Sequence, residues 1–268
     1  MKSLKIFGDG TVSGGEFDKV NVFGGGIIIS KVQAIKIKIF GDAVFEGEVI
    51  ADEVKIHGSV TFKKAVDIKK VKVYGDATFQ EHAQIEAIKI RGNARFEDLA
   101  QIEKLDNFGE CEIRNQVKCQ ELKNFGELNV IGKLKVETLN STGWLETEGE
   151  IEGESITIKG GIKNMHLINA EEMTLVLYAD CYCDSIGATK LTVRQKGKDN
   201  RWLNDWKEEC FLNVKEIEGD QLELAYTKAE VVRGDVVTIG EGSIIERVEF
   251  KKSLNIAEDS QVYDQIKR

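Results

Sequence analysis

Nine glycines stand at a constant step of 17: Gly24, Gly41, Gly58, Gly75, Gly92, Gly109, Gly126, Gly143 and Gly160. Glycine makes up 26 of the 268 residues, so chance alignment of nine has odds of roughly one in a billion. A fixed period of this size marks a repeat architecture, in which each unit buries its apolar face against its neighbours.

The columns flanking the glycines identify the repeat unit. Take each glycine as position zero. Position −4 carries Val20, Ile37, Val54, Val71 and Ile88, and position −2 carries Val22, Ile39, Ile56, Val73 and Ile90. Position +2 is small or apolar, as in Ala43, Val60 and Ala77, and position +4 carries Phe45, Phe62, Phe79 and Phe96. Positions +8 and +10 complete the set, as in Val49 with Ala51 and Val66 with Ile68. These are three apolar pairs, each with a spacing of two. That spacing puts both side chains on one face of a strand. The three-and-four spacing of an amphipathic helix is absent. The expected fold is therefore all-β: a single-stranded parallel β-helix, or solenoid, with a triangular cross-section and coils of 17 residues. Three short strands separated by turns are expected in each coil. The glycine marks a corner and is expected to adopt a positive φ. The apolar pairs start 6, 6 and 5 residues apart. Strict hexapeptide repeats of the left-handed type would give three sixes, so a right-handed coil is expected.

The period organises residues 1–194 as a main β-helix of ten to eleven coils. Residues 195–215 break it with a polar, charged excursion, readable as a short helix from Asn204, that holds Trp202 and Trp206. Residues 216–268 return to strand pairs, among them Leu222/Leu224, Val237/Ile239 and Leu254/Ile256. They either stack on the main rod or form a separate block. Asn107 and Asn124 take the place of isoleucine at −2, and their amides are expected to hydrogen-bond along the stack.

Composition narrows the function. The chain has no proline, where average usage gives about 13. Proline cannot donate to a ladder, so its absence fits strands paired on both sides. The net charge of −9 argues against a nucleic-acid binder built on phosphate contacts. No apolar run approaches membrane-spanning length, and the first residues do not read as a signal peptide. A cytoplasmic location is expected. Cys111 and Cys119 fall in inward columns and are expected to be buried thiols. Cys181 and Cys183 share one strand face without further ligands near by. His57 and His82 fall on different corners, and His166 is in no recognisable spacing. The glycines recur as corners and open no phosphate-binding helix. Neither catalysis, a cofactor nor a metal is expected.

The coil pattern begins at Leu4 and Ile6, and an end coil presents unpaired backbone groups that invite pairing with another chain. Leu4, Ile6 and Phe7 at one end, and Val262 and Ile266 at the other, are the candidate polymer contacts. Lys38, Lys55, Lys72 and Lys89 stack outward at −3, where like charges at coil spacing repel. They form either a solvated face neutralised by neighbours such as Glu53 and Asp76, or a docking stripe for an acidic partner or anionic surface. Trp202 and Trp206 either pack on the rod or receive a partner.

The units IKIFGDAVF (Ile37–Phe45) and VKVYGDATF (Val71–Phe79), with the stretch Ala229–Phe250, resemble the bactofilins. The resemblance covers most of the chain. It implies a bacterial cytoskeletal protein with a right-handed β-helix core that polymerises without nucleotide and organises cell-envelope, shape or motility machinery. The implied partners are a second copy or a related bactofilin, cell-envelope or motility proteins, and peripherally the inner face of the membrane. This sequence departs from the pattern in lacking proline-containing tails and in its interruption near residue 200. The other reading is a non-polymerising β-helical adaptor that binds a partner through residues 195–210.

Overall fold

The computed structural model describes residues 2–196 and 209–268. Regular structure in them is β-strand throughout, and successive coils pair in parallel. The chain divides into two compact units, Met1–Val136 and Glu137–Arg268.

The first unit is built from a repeated pair of strands. Asp42–Phe45 is followed by Val49–Ile56, Ser59–Phe62 by Val66–Val73, and Asp76–Phe79 by Ala83–Ile90. Each residue pairs with the one a period away: Phe45 with Phe62, Val54 with Val71, Ile88 with Leu105. The expectation of three strands per coil needs correction, because each coil has two. In the longer strand Val49 and Ala51 point inward, and so do Val54 and Ile56. Asp52 and Glu53 between them both avoid the core. The alternation slips by one, and the chain rounds a corner without leaving the ladder. Only Asp52 and its counterpart Lys69 drop out of the pairing there. This corner is where the apolar pairs start five residues apart instead of six. Three inward pairs per coil remain, so the three-faced coil read from the sequence holds.

The glycine corner also needs correction. Positive φ occurs at Gly8 (108°), Gly15 (143°) and Gly242 (68°), and not at Gly41, Gly58, Gly75 or Gly92. These corner glycines are required by close approach. A Cβ on Gly58 would lie 2.1 Å from the Gly41 carbonyl oxygen, and one on Gly75 would lie 2.2 Å from that of Gly58. The corners stack so tightly that each backbone carbonyl fills the space a methyl would need.

Phe45, Phe62, Phe79 and Phe96 are fully buried, with ring centroids 5.2, 5.1 and 4.6 Å apart. Offset stacking adds to their area burial. The amide ladder is present as well. Asn107 Nδ2 donates to Asn124 Oδ1 (2.9 Å) and to the Glu127 carbonyl (2.8 Å), and Asn107 Oδ1 accepts from the Gly109 N–H (3.2 Å). A buried amide so satisfied avoids the desolvation penalty that an unpaired one would carry.

In the second unit the strands lengthen until one strand spans all three inward pairs. Gly161–Leu177, Cys181–Gln195, Leu212–Leu224, Thr227–Ile239 and Ile244–Ile256 stack in that order. Ile186 pairs with Ile217, so the chain leaves after Gln195 and returns to the same ladder at Leu212, opposite Cys181. Two sequence expectations are thereby sharpened. The strand resumes inside the span 195–215 assigned to the excursion, and the later coils stack directly on Cys181–Gln195. Leu254 stacks on Val237 at the expected step of 17, and Leu222 joins the same column although it precedes Val237 by 15. Trp202, Trp206 and the short helix expected from Asn204 lie outside the described residues.

Replacing Gly58 or Gly75 with alanine should destabilise the protein by about 1–3 kcal/mol, because the added methyl overpacks a corner that cannot open without breaking the ladder. Gly10→Ala, with nothing within 4 Å of the added Cβ, should leave the urea midpoint nearly unchanged.

Candidate interaction surfaces

Strand edges come first. Ser3–Ile6 pairs on one side with Lys19–Val22, and Gly10–Val12 with Gly26–Ile28. Their other sides have no strand partner among the described residues. The effect on burial is direct: Leu4 is only half-buried, although Val20 beside it is fully buried. Ile6 remains in the core and Phe7 is 70% exposed. At the C-terminal edge, Gln261–Lys267 pairs among the described residues with Ile244–Phe250 alone. Val262 is half-buried, Ile266 is 40% exposed, and Tyr263, which the sequence reading passed over, is 72% exposed. Ile256 is exposed too, whereas Ile239, its partner one coil earlier, is buried. The last coils are tied together by the buried carboxylate of Glu249, which receives Arg233 (3.2 Å), Arg247 (3.1 Å) and Arg268.

The basic face is the second feature. The half of each long strand that leads into the glycine presents two outward columns. Position −5 reads Ser3, Lys19, Lys36, Glu53, Lys70, Ala87, Lys104 and Glu121, and position −3 reads Lys5, Asn21, Lys38, Lys55, Lys72, Lys89, Asp106 and Lys123. Lysine dominates both, and in-register pairing aligns Lys38 with Lys55, and Lys72 with Lys89. Glu53 neutralises two lysines, Lys36 at 2.5 Å and Lys55 at 3.1 Å. Hydrogen bonding from Lys36, then from Lys55, outweighs partial burial and holds its carboxyl down to about 2. Glu121 takes Lys123 and Lys104 in the same way, and its carboxyl is lowered. Asp76 does not serve this role, since it bonds Asn93 (2.9 Å) on the short-strand side of the corner. Among the described residues, Lys5, Lys19, Lys38, Lys70 and Lys72 have no ion-pair partner. Lys89 lies 4.5 Å over the Phe108 ring. Of the stripe Lys38, Lys55, Lys72 and Lys89, the structure thus compensates Lys55 with a carboxylate and sets Lys89 on an aromatic ring. The short-strand face differs: its outward column runs Thr11, Ile27, Val44, Thr61 and Thr78, then Arg95 and Glu112, which pair with each other, and its strands open on acidic residues such as Asp42, Asp76 and Glu110.

A third feature escaped the sequence reading. The residue immediately before each glycine forms an outer aromatic column. Phe7, Phe23, Phe40, His57 and Tyr74 stack with centroids 4.9, 5.2, 5.2 and 4.8 Å apart and ring planes within 4°. The Arg91 guanidinium continues the stack 5.7 Å over Tyr74, and Phe108 and Phe125 form a further pair at 4.7 Å. These aromatics are exposed, and they border the lysine columns. The signal was present at position −1, but a search for inward pairs does not inspect it. His57 is a member of this stack.

The cysteines are placed for packing. Burial pushes the thiols of Cys111 and Cys183 far up, and that of Cys181 up to about 11, which suppresses the thiolate a nucleophile or metal ligand needs. Cys119 is buried and contacts the Glu121 carbonyl at 3.2 Å. Among the described residues, no cluster of histidine, cysteine and carboxylate could hold a metal, and no helix is long and apolar enough to cross a membrane.

The Glu53 pairing makes a pH prediction. Its carboxyl is held below the ordinary value, so its contribution is complete above pH 4.5 and is lost as pH falls through about 2. Urea midpoints of the wild type should therefore fall more steeply than those of Glu53→Gln between about pH 5 and about pH 2, the two converging in acid. No family model, no curated protein and no solved structure matches this chain.

Proposed function

We propose that this protein is a bacterial cytoskeletal scaffold. It assembles into filaments through the strand edges of its end coils, without nucleotide, and organises cell-envelope, shape or motility machinery from the cytoplasm. One observation carries the reading: core residues at the edges stay uncovered while their equivalents one coil inward are buried, as with Leu4 against Val20 and Ile256 against Ile239. A strand edge with a row of unpaired N–H and C=O groups beside half-buried apolar side chains is a template for another copy. A second copy supplies both missing things, the ladder and the apolar cover. The inward columns of the coils are filled by packed side chains, which suits a protein whose work is assembly. The resemblance of Ile37–Phe45 and Val71–Phe79 to the bactofilins supports the same conclusion.

One observation favours the adaptor reading beside it. Cys181–Gln195 pairs in register with Leu212–Leu224, although 16 residues separate the two strands in sequence. The flanking coils therefore pair with each other directly, and the adaptor reading assigns the partner to residues 195–210.

Negative-stain microscopy separates the two. Wild-type protein should form filaments, and so should a variant lacking residues 197–208. Phe7→Glu, Val262→Glu and Ile266→Glu change residues exposed or half-exposed at the edges, so each should fold and at least one should abolish polymer. A monodisperse wild type at high concentration, across a range of salt, would overturn the scaffold reading.

A further inference from the structure

We propose that the lysine face of the first unit, with the aromatic column along its border, is a docking surface for an anionic lipid bilayer. The inference does not depend on filament formation.

Charge is the first argument. The chain is acidic, with a net charge of −9, yet one face collects lysines in two adjacent columns. Lys5, Lys19, Lys38, Lys70 and Lys72 have no ion-pair partner among the described residues, so their charge is directed outward. The two remaining faces do not repeat this pattern. The short-strand face presents Asp42, Asp76, Arg95, Glu110 and Glu112 among its outward residues, and the third face Glu16, Asp52, Asp67, Lys69 and Glu86, so acidic residues outnumber basic ones on both. The concentrated positive field on one side calls for a negative partner on that side.

Geometry is the second argument. Adjacent parallel strands lie roughly 4.8 Å apart, and the lysines are in register from coil to coil. They stand in straight rows on a sheet. A planar anionic surface meets every one of these ammonium groups at once. A cylinder such as a nucleic-acid duplex would engage only the few along its line of contact.

Side-chain chemistry is the third. The two columns contain no arginine. Lysine is a flexible point charge suited to a fluid layer of headgroups, whereas fixed phosphates in nucleic acids favour the bidentate fork of arginine. The neighbouring column supplies what a bilayer interface additionally selects, aromatic rings at headgroup depth. Phe23, Phe40 and Tyr74 are exposed, and their stacking holds them in position before any contact. Basic residues attract the leaflet, and the rings partition into it.

Co-sedimentation of the full chain with vesicles tests this directly. The probes are phosphatidylcholine vesicles with and without roughly a third of phosphatidylglycerol. The wild type should bind the anionic vesicles, ignore the neutral ones and be largely released at about 1 M salt. Combining Lys38→Gln, Lys70→Gln and Lys72→Gln should weaken binding on the order of a hundredfold, with the circular dichroism spectrum unchanged. Phe23→Ser with Phe40→Ser should reduce the salt-resistant fraction. Lys118→Gln with Lys190→Gln, which leaves the face intact, should bind as the wild type does. The proposal is overturned if wild type fails to sediment with anionic vesicles at low salt, or if the folded triple-lysine variant binds unchanged. It is equally overturned if a DNA duplex or polyglutamate competes the protein off the vesicles at matched charge, which would assign the face to a different polyanion.

Discussion

The parallel ladder between one coil and the next governs everything else in this chain. Each residue meets the residue one period away, so every property of a position is multiplied along a column. Apolar columns become a continuous core, phenylalanine becomes a stack of rings, asparagine becomes a chain of amides, and lysine becomes a row of like charges. The ladder tolerates no side chain at the corner where carbonyl oxygens of the previous coil approach to 2.1 Å of a hypothetical Cβ. Glycine at that corner from Gly41 to Gly126 is a packing requirement, and its recurrence there reflects contact with the neighbouring coil more than any preference of the local backbone.

The same multiplication explains how charge is managed. A row of lysines at coil spacing would repel itself. Here a glutamate placed in the adjacent column binds two lysines at once, as Glu53 and Glu121 do, and an aromatic ring accepts another. What remains uncompensated lies on one face, next to an exposed column of rings. Stability and interaction thus draw on the same residues: the carboxylates limit the repulsion, and the leftover charge gives the face its character. Edges follow from the ladder too. A solenoid satisfies its backbone by stacking, so at the edges apolar residues such as Leu4 and Ile256 have no covering strand among the described residues.

Much of this was legible in sequence because stacking in register turns a column of residues into a column of neighbours. The inward pairs, the phenylalanine ladder and the Asn107–Asn124 amide contact all follow from the period and the two-residue spacing alone. So does the outward direction of Lys38, Lys55, Lys72 and Lys89. Less legible were features that depend on how a coil bends. The uninterrupted strand through Asp52 and Glu53 looks like two strands when only alternation is read. The outer column from Phe7 to Tyr74 is aromatic yet faces solvent, so a rule that sends large apolar residues inward passes it by. Which carboxylate reaches which lysine depends on corner geometry: Glu53 lies on the lysine face, while Asp76, equally close in the repeat, lies around the corner.

By itself the sequence determined the period, the strand faces and the composition of the core, because each coil must match the next to close the ladder. Only the tertiary structure decided why glycine occupies the corner, where the chain rejoins the stack after Gln195, and which side chains meet across coils on the surface. Those outcomes turn on distances between residues whose separation in sequence is fixed but whose approach in space is set by the packed interior.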